Sequence, residues 1–280
     1  MEKFQEIERT IIKTYRAGLW APFVKALKEF ELIKLNDNVC VCISGGKDSM
    51  LLAKLFQELK RHSDFEFNVK YMVMDPGYDQ ENFQKILDNL KLLNIDAVVE
   101  KTDIFEIANM QEKNPCYLCA KMRRGALYKL AKNLGCNKIA LGHHYDDVIE
   151  TTLMNMLNSG SFQTMLPKLH SDNYEGMELI RPLYYIREKD ILRWMRYNEL
   201  EFIKCACKLT ENIDYARTCD SGSKRQDTKL LIKELLSYNP MVEKNIFSAA
   251  MNVNVDKILG YKYKNEKHSF LDDYDKNDGE

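Results

Sequence analysis

Long hydrophobic runs are missing from this sequence of 280 residues. No apolar stretch approaches the roughly 18 residues that a membrane-spanning helix requires, which excludes a helical membrane protein. Residues 1–8 are charged and provide no apolar signal core, so we expect a cytoplasmic protein with no membrane partner. A hydrophobic content of 45% with 30% charged residues is instead typical of a soluble globular protein.

An excess of charge of either sign is also missing, because the formal net charge is only −1. Composition alone therefore gives no indication of a nucleic-acid partner. The charge is unevenly distributed, since residues 264–280 hold six acidic residues against three lysines. We expect this segment to be a disordered acidic tail. The chain is long enough for one large α/β domain with smaller helical additions.

Short apolar runs alternate with helical patterns through residues 37–200, which predicts a parallel sheet with helices on both faces. The predicted strands are residues 39–43, 67–74, 97–99 and 138–141, and the predicted helices are residues 49–61, 80–93, 118–133 and 146–158. Apolar residues at helical spacing predict an N-terminal helical extension at residues 1–36, and a cysteine-containing, helical segment follows at residues 201–255. Ligands of such sheets bind beyond the carboxyl ends of the strands, so the loops there should converge on one site.

A glycine pair lies between the first predicted strand and its helix. The six residues of this loop are Ser44, Gly45, Gly46, Lys47, Asp48 and Ser49. Glycines let backbone N–H groups approach a phosphate, the helix N-terminus favours an anion, and Lys47 adds a full positive charge. The spacing differs from the P-loop pattern GxxxxGK(S/T), which weakens a kinase or GTPase interpretation. It resembles the pyrophosphate loop of the ATP pyrophosphatases, and the alternative is a plain Gly-Gly turn.

Further polar residues lie at the same predicted edge of the sheet. Asp48 is the candidate ligand of a Mg²⁺ ion that accompanies the phosphates. Asp75 ends the second predicted strand, where a ribose or adenine contact is expected, but it also suits the turn that follows. Gly142 and His143 follow the fourth predicted strand, and a histidine there could contact a phosphate or the base. Asp147 could face the nucleotide or its metal, or could serve only as a partner of the helix dipole.

Eight cysteines in a cytoplasmic chain point to metal binding or catalysis rather than to disulfides wherever they cluster. Cys116 and Cys119 are predicted one turn apart at a helix start, where both can face one metal. By itself this pair could be a redox pair or half of a zinc site. The candidates for a third thiolate are Cys205, Cys207 and Cys219. Cys40 and Cys42 lie within a predicted strand and are expected in the core.

The motifs together resemble the tRNA 2-thiocytidine synthetase family across residues 5–255. They are the loop at residues 44–49, Cys116 to Cys119 with Arg123-Arg124-Gly125, Gly142 to Asp147 with Glu150-Thr151, and Arg181-Pro182-Leu183 with Arg187-Glu188-Lys189-Asp190. The resemblance implies an adenine-nucleotide alpha hydrolase-like (Rossmann-like) fold that uses ATP and Mg²⁺. It further implies a 4Fe-4S cluster on three cysteines, with one iron free for sulfide. The expected substrate is the cytidine at position 32 of tRNA, and the family suggests a homodimer supplied by a sulfur donor such as a cysteine desulfurase.

The resemblance also implies roles for individual residues. Two cluster ligands carry over to Cys116 and Cys119, and we choose Cys205 as the third, with Cys207 next. The family usually has a CxxC at this point, whereas this chain has Cys205-Ala206-Cys207. The expected catalytic residues are Lys47, Asp48, Cys116, Cys119 and Cys205. The alternatives are an enzyme of this fold acting on another base or a small thiolated substrate, a sulfur-free ligase of the lysidine-forming type, and a nucleotide-sensing module.

Overall fold

A mostly parallel sheet forms in the structure, a computed structural model that describes residues 1–110, 115–203 and 224–274, without the side chains of residues 109 and 115–117. The strands of this sheet are β1 (Asn38–Ile43), β2 (Asn68–Asp75), β3 (Ala97–Lys101), β4 (Lys138–Ala140), β5 (Lys168–His170) and β6 (Glu178–Ile180). Their order among the described residues is β3-β2-β1-β4-β6-β5. Among the described strands of this sheet, only β5 runs antiparallel to its neighbour. The four predicted strands and the α/β fold class are confirmed.

The helices follow the predicted pattern closely. They are α1 (Lys3–Ile12), α2 (Ala21–Glu29), α3 (Lys47–His62), α4 (Gln80–Leu92), α5 (Ile104–Asn109), α6 (Pro115–Asn133), α7 (Tyr145–Ser159), α8 (Glu188–Tyr197), α9 (Lys224–Tyr238) and α10 (Val242–Met251). A π-helical turn, Arg16–Trp20, joins α1 to α2. The sequence pattern did not predict this turn, the short helix α5 or the edge strand β5. No helix of the described residues is long and apolar enough to cross a membrane.

The chain divides into two compact units. The first comprises Met1–Val148 with Met165–Lys224, and the second comprises Ile149–Thr164 with Arg225–Glu280. The domain boundaries expected from the sequence, at residues 36, 200 and 255, differ from this division. These boundaries remain predictions.

The core of the first unit lies on both faces of β1, which is apolar and buried from Val39 to Ile43. Cys40 and Cys42 are buried in one cluster with Tyr128 of α6, Cys136 and Ile139, as the alternation of side chains along a strand dictates. Both cysteines are therefore core residues, and this prediction is confirmed. A hydrogen bond with Cys40, together with burial, raises the pKa of Cys136, so this thiol stays protonated at neutral pH.

A two-stranded hairpin lies in the second unit, with β7 at Gly260–Tyr263 and β8 at Glu266–Ser269. A 3-10 turn, Phe270–Asp272, follows it. The structure differs here from the disordered tail predicted for residues 264–280. The disorder was predicted from the acidic charge of the whole segment. Three of its six acidic residues lie at positions 275–280, outside the described residues, so the part that forms the hairpin is less acidic. The remaining residues include aromatic and basic side chains that pair across two strands.

A fully buried lysine ties the N-terminal extension to α3. Lys54 Nζ lies 2.5 Å from Glu8 Oε1 and 2.8 Å from the carbonyl oxygen of Leu93. Arg61 Nη1 lies 2.6 Å from the other oxygen of Glu8. Burial acts to raise the pKa of Glu8, but hydrogen bonds from Arg61 and Lys54 outweigh it, so its pKa is lowered. Glu8 therefore holds α1 in place as a buried carboxylate.

We expect Glu8→Gln to lower the free energy of unfolding by about 3 kcal/mol, because it leaves the Lys54 ammonium buried without its counter-charge. Because the pKa of Glu8 is lower in the folded state, its contribution is complete above its ordinary value of 4.5 and is lost as the pH falls below it. Denaturant unfolding between pH 7 and pH 3 should show this loss in the wild type and not in Glu8→Gln. The control is Glu6→Gln on the exposed face of α1, which should change stability little. Equal effects of the two substitutions would contradict the account.

Candidate active site at the carboxyl edge of the sheet

The loop between β1 and α3 is shaped by a glycine that has no space for a side chain. Gly45 has a φ of +82°, in the left-handed region that favours glycine. A methyl group on it would lie 2.5 Å from Ile86 Cγ1 and 2.8 Å from Ile203 Cδ1. Both isoleucines therefore pack directly on the loop backbone. Ile203 is the last described residue before the cysteine-containing segment.

Hydrogen bonds within the loop fix the start of α3. The Ser49 hydroxyl accepts from the amide of Ser44 at 3.1 Å and donates to the carbonyl of Gly46 at 2.9 Å. Gly46 has extended backbone angles and precedes the first helical residue, Lys47. The first-turn amides of α3 therefore lie at the end of β1, where a helix N-terminus favours an anion, and the phosphate site itself remains a prediction.

Lys47 lies between two carboxylates at the mouth of this loop. Its Nζ is 3.1 Å from Asp48 Oδ2 and 2.9 Å from Glu188 Oε1, at the start of α8. Burial acts to lower the pKa of Lys47, but the charges of Asp48 and Glu188 outweigh it, so the pKa is raised. Lys47 therefore stays charged at neutral pH. Sequence reasoning assigned no role to Glu188, although it lies within the Arg187 to Asp190 motif.

The loop after β4 packs against the first turn of α3. A methyl group on Gly142 would lie 3.1 Å from the backbone of Asp48, so a larger residue would require one of the two segments to shift. His144 is buried, with Nε2 3.9 Å from Asp48 Oδ1. That carboxylate oxygen is buried and has no hydrogen-bond partner within the described part of the chain. Burial raises the pKa of Asp48 despite the opposing charges of His144 and Lys47.

An unpartnered buried carboxylate oxygen is costly unless a ligand occupies it. Asp48 Oδ1 therefore fits the predicted Mg²⁺ ligand, because hard cations prefer carboxylate oxygens.

The two aspartates at the start of α7 accept hydrogen bonds from nearby backbone amides. Asp146 accepts from Arg187 Nη2 at 3.1 Å and from the amide of Glu188 at 2.7 Å, which fixes the start of α8. Asp147 accepts from the amide of His144 at 2.9 Å. His143 is half-buried beside them. The nucleotide contacts predicted for His143 and Asp147 remain predictions, and the structural use of Asp147 is established.

Asp75, at the end of β2, forms the turn that the sequence suggested as an alternative. Its Oδ1 accepts from the amides of Gly77 at 2.9 Å and Tyr78 at 2.8 Å. The Tyr78 hydroxyl in turn donates to the carbonyl oxygen of Ser44 at 3.3 Å. The turn after β2 is thus joined to the phosphate loop. A ribose or adenine contact of Asp75 remains a prediction, and Tyr78 was not predicted.

The cysteine pair lies at the start of α6, which begins at Pro115, three residues before the predicted start. The side chain of Cys119 is half-exposed, and that of Cys116 lies outside the described residues. Cys205, Cys207 and Cys219 also lie outside them. Within the described residues no group of three or more His, Cys, Asp or Glu side chains could hold a metal ion. The cluster ligands therefore stay a prediction.

A phosphate loop between the first strand and its helix, in a parallel α/β sheet, defines a class of nucleotide-binding proteins. Residues 21–218, more than half of the chain, match the PP-loop domain family. The chain belongs to this family.

Relatives of similar length narrow the assignment. The chain is 35% identical over 240 residues to the tRNA-cytidine(32) 2-sulfurtransferase of Citrifermentans bemidjiense, covering 84% of this chain and 90% of that protein. It is 35% identical over 257 residues to the tRNA-cytidine(32) 2-sulfurtransferase of Coxiella burnetii, covering 89% of this chain and 94% of that protein. The chain belongs to the tRNA-cytidine(32) 2-sulfurtransferase family, so the resemblance drawn from its motifs is confirmed.

A solved structure shares the fold. The U34-tRNA thiolase NcsA from Methanococcus maripaludis, solved with its 4Fe-4S cluster, matches with a TM-score of 0.64 and 22% identity. The match covers 86% of this chain and 80% of that chain. At this identity the likeness supports the fold alone.

We expect Gly45→Ala to abolish high-affinity ATP binding, because the new methyl group would displace Ile86, Ile203 or the loop itself. Gly135→Ala is a matched control, since Gly135 has a φ of +72° but no atom within 4 Å of an added methyl group. Its cost should be the left-handed backbone alone, about 1 kcal/mol, with ATP binding unchanged. Calorimetric titration with ATP and thermal unfolding of both variants measure the difference. Normal ATP binding by Gly45→Ala would contradict the steric argument.

Proposed function

We propose that this protein is an ATP-dependent tRNA sulfurtransferase that replaces the 2-oxygen of the cytidine at position 32 with sulfur. Its family membership supports this substrate. The observation that carries the proposal is the packing of Ile203 on Gly45, because Ile203 precedes Cys205 by two residues. The segment with the predicted sulfur chemistry therefore begins at the phosphate loop. A sulfur-free ligase would not need cysteines in this position.

In the first step the base is adenylated. The 2-oxygen of cytidine attacks the α-phosphate of ATP, an oxygen–phosphorus bond forms, and the α–β phosphoanhydride bond breaks to release pyrophosphate. Lys47 and the first-turn amides of α3 are placed to stabilise the charge on the pyrophosphate. The ammonium exchanges Asp48 and Glu188 for phosphate oxygens when the nucleotide binds, and its raised pKa keeps it charged for this role.

In the second step a sulfide attacks C2 of the activated base, and AMP leaves with the original oxygen. The protein positions the two reactants and excludes water, and no side-chain nucleophile is required. Asp48 would hold Mg²⁺, which neutralises phosphate charge when bound. Cys116, Cys119 and Cys205 would hold a 4Fe-4S cluster, whose chemistry when bound is to carry sulfide. The further proposed partners are a cysteine desulfurase as sulfur donor and a second copy of the chain.

We expect Lys47→Ala to reduce tRNA-dependent pyrophosphate release by about 100-fold or more, because the leaving group loses its nearest positive charge. The assay uses anaerobically purified protein, ATP, Mg²⁺ and an unmodified tRNA with cytidine at position 32. Lys91→Ala, an exposed lysine of α4, is the matched control and should release pyrophosphate at the wild-type rate. If Lys47→Ala retains full activity, the loop is not the site of pyrophosphate release. If the wild type releases pyrophosphate without forming a thiolated nucleoside, the sulfur step is wrong.

A further inference from the structure

Two lysines face each other directly across the hairpin of the second unit. Lys262 of β7 is paired with Lys267 of β8 in the antiparallel register, so their side chains leave the same face. Like charges directly opposite each other destabilise a strand pair. Both lysines are exposed, and within residues 1–110, 115–203 and 224–274 neither lies within ion-pair distance of a carboxylate. This arrangement carries a cost in the free protein that an external anion would remove.

Aromatic rings lie one position along each strand, on the opposite face of the same hairpin. Tyr261 is paired with His268, and their rings are stacked with centroids 4.6 Å apart. Tyr261 is still 43% exposed and Tyr263 is 59% exposed. Exposed tyrosines and a stacked ring pair provide surfaces on which a nucleobase can stack.

A cavity of about 1000 Å³ adjoins the hairpin within the second unit. Its lining includes both lysines, Tyr261 and His268 of the hairpin, together with Phe162 and Gln163 from the segment after α7. The Nε2 atom of His268 is buried and has no hydrogen-bond partner in the described part of the second unit. The hairpin thus offers positive charge on one face and aromatic rings with an unused polar atom on the other, a combination that suits a nucleic-acid strand held against the hairpin.

We propose that the β7–β8 hairpin is a tRNA-binding element, in which Lys262 and Lys267 contact phosphates and the Tyr261–His268 pair stacks on an unpaired base. The inference rests on the proposed function, since tRNA is the substrate proposed above. A protein partner fits less well, because lysine is depleted at protein–protein interfaces. Basic side chains interleaved with aromatic rings are the usual combination for unpaired RNA.

The test measures binding of a tRNA with cytidine at position 32 to the full chain by fluorescence anisotropy over a range of salt concentrations. Lys262→Ala/Lys267→Ala should weaken binding roughly tenfold and reduce the slope of log affinity against log salt by about 2. It should not lower the melting temperature, because it removes a repulsion. The control is Lys233→Ala/Lys244→Ala, which removes two exposed lysines of α9 and α10 in the same unit.

A second pair of variants tests the aromatic ring of Tyr261. Tyr261→Ala should weaken tRNA binding about tenfold, and Tyr261→Phe should bind as the wild type does. Tyr238→Ala, which removes a tyrosine that is 79% exposed, is the control.

The outcomes separate this inference from the proposed function. If the wild type neither binds nor thiolates tRNA, the proposed function fails. If the wild type does both and the double lysine variant binds tRNA with unchanged affinity and salt slope, the hairpin inference is overturned. A second result also overturns it. In this result, sedimentation shows that the double lysine variant changes the self-association of the chain, while its affinity for tRNA, compared at the same oligomeric state, is unchanged. That result would assign the hairpin to a contact between copies.

Discussion

The close approach of three chain segments at Gly45 is the constraint on which the site depends. Its left-handed backbone turns the end of β1 into α3, and its missing side chain leaves the space that Ile86 and Ile203 fill. A second close approach occurs at Gly142, where the loop after β4 packs against the backbone of Asp48. Packing at these two glycines brings the phosphate loop, the loop after β4 and Ile203, which precedes the cysteine-containing segment, together.

More carboxylates than basic side chains are found in the ion pairs around this packed centre. Carboxylates of Asp48, Asp146 and Glu188 lie close to Lys47 and Arg187. Bringing a triphosphate to such a site adds negative charge to a partly buried, already acidic environment, which favours a bound divalent cation. The ion pairs with Asp48 and Glu188 hold the Lys47 ammonium at the mouth of the loop. Asp146 couples this arrangement to α8 by accepting from both Arg187 and the amide of Glu188.

The sequence was sufficient to predict features that depend on local pattern. The four predicted strands, their helices and the loop at Ser44 to Ser49 each have a periodicity or a spacing that is visible in the local sequence. Contacts that depend on tertiary packing were not predictable in this way. Glu188 reaches Lys47 from a helix far along the chain, and Tyr78 reaches Ser44 from the neighbouring strand end. Nothing local to either residue indicates such a partner.

Short elements were missed for a related reason. β5 has only three residues and is defined by its pairing with β6, so its own sequence has no strand periodicity to detect. The hairpin at residues 260–269 was hidden by the acidic residues that follow it. Asp75 shows the opposite case, in which the local turn signal was correct and the ligand contact remains to be tested.

The central claim is that the phosphate loop and the cysteine segment act in turn on one base. Mass spectrometry of tRNA nucleosides from a strain that lacks this protein, complemented with the wild type or with Cys205→Ser, tests it most directly. The account predicts that 2-thiocytidine is absent from the deletion strain, is restored by the wild type and is not restored by Cys205→Ser. An unchanged level of 2-thiocytidine in the deletion strain, or its full restoration by Cys205→Ser, would contradict it.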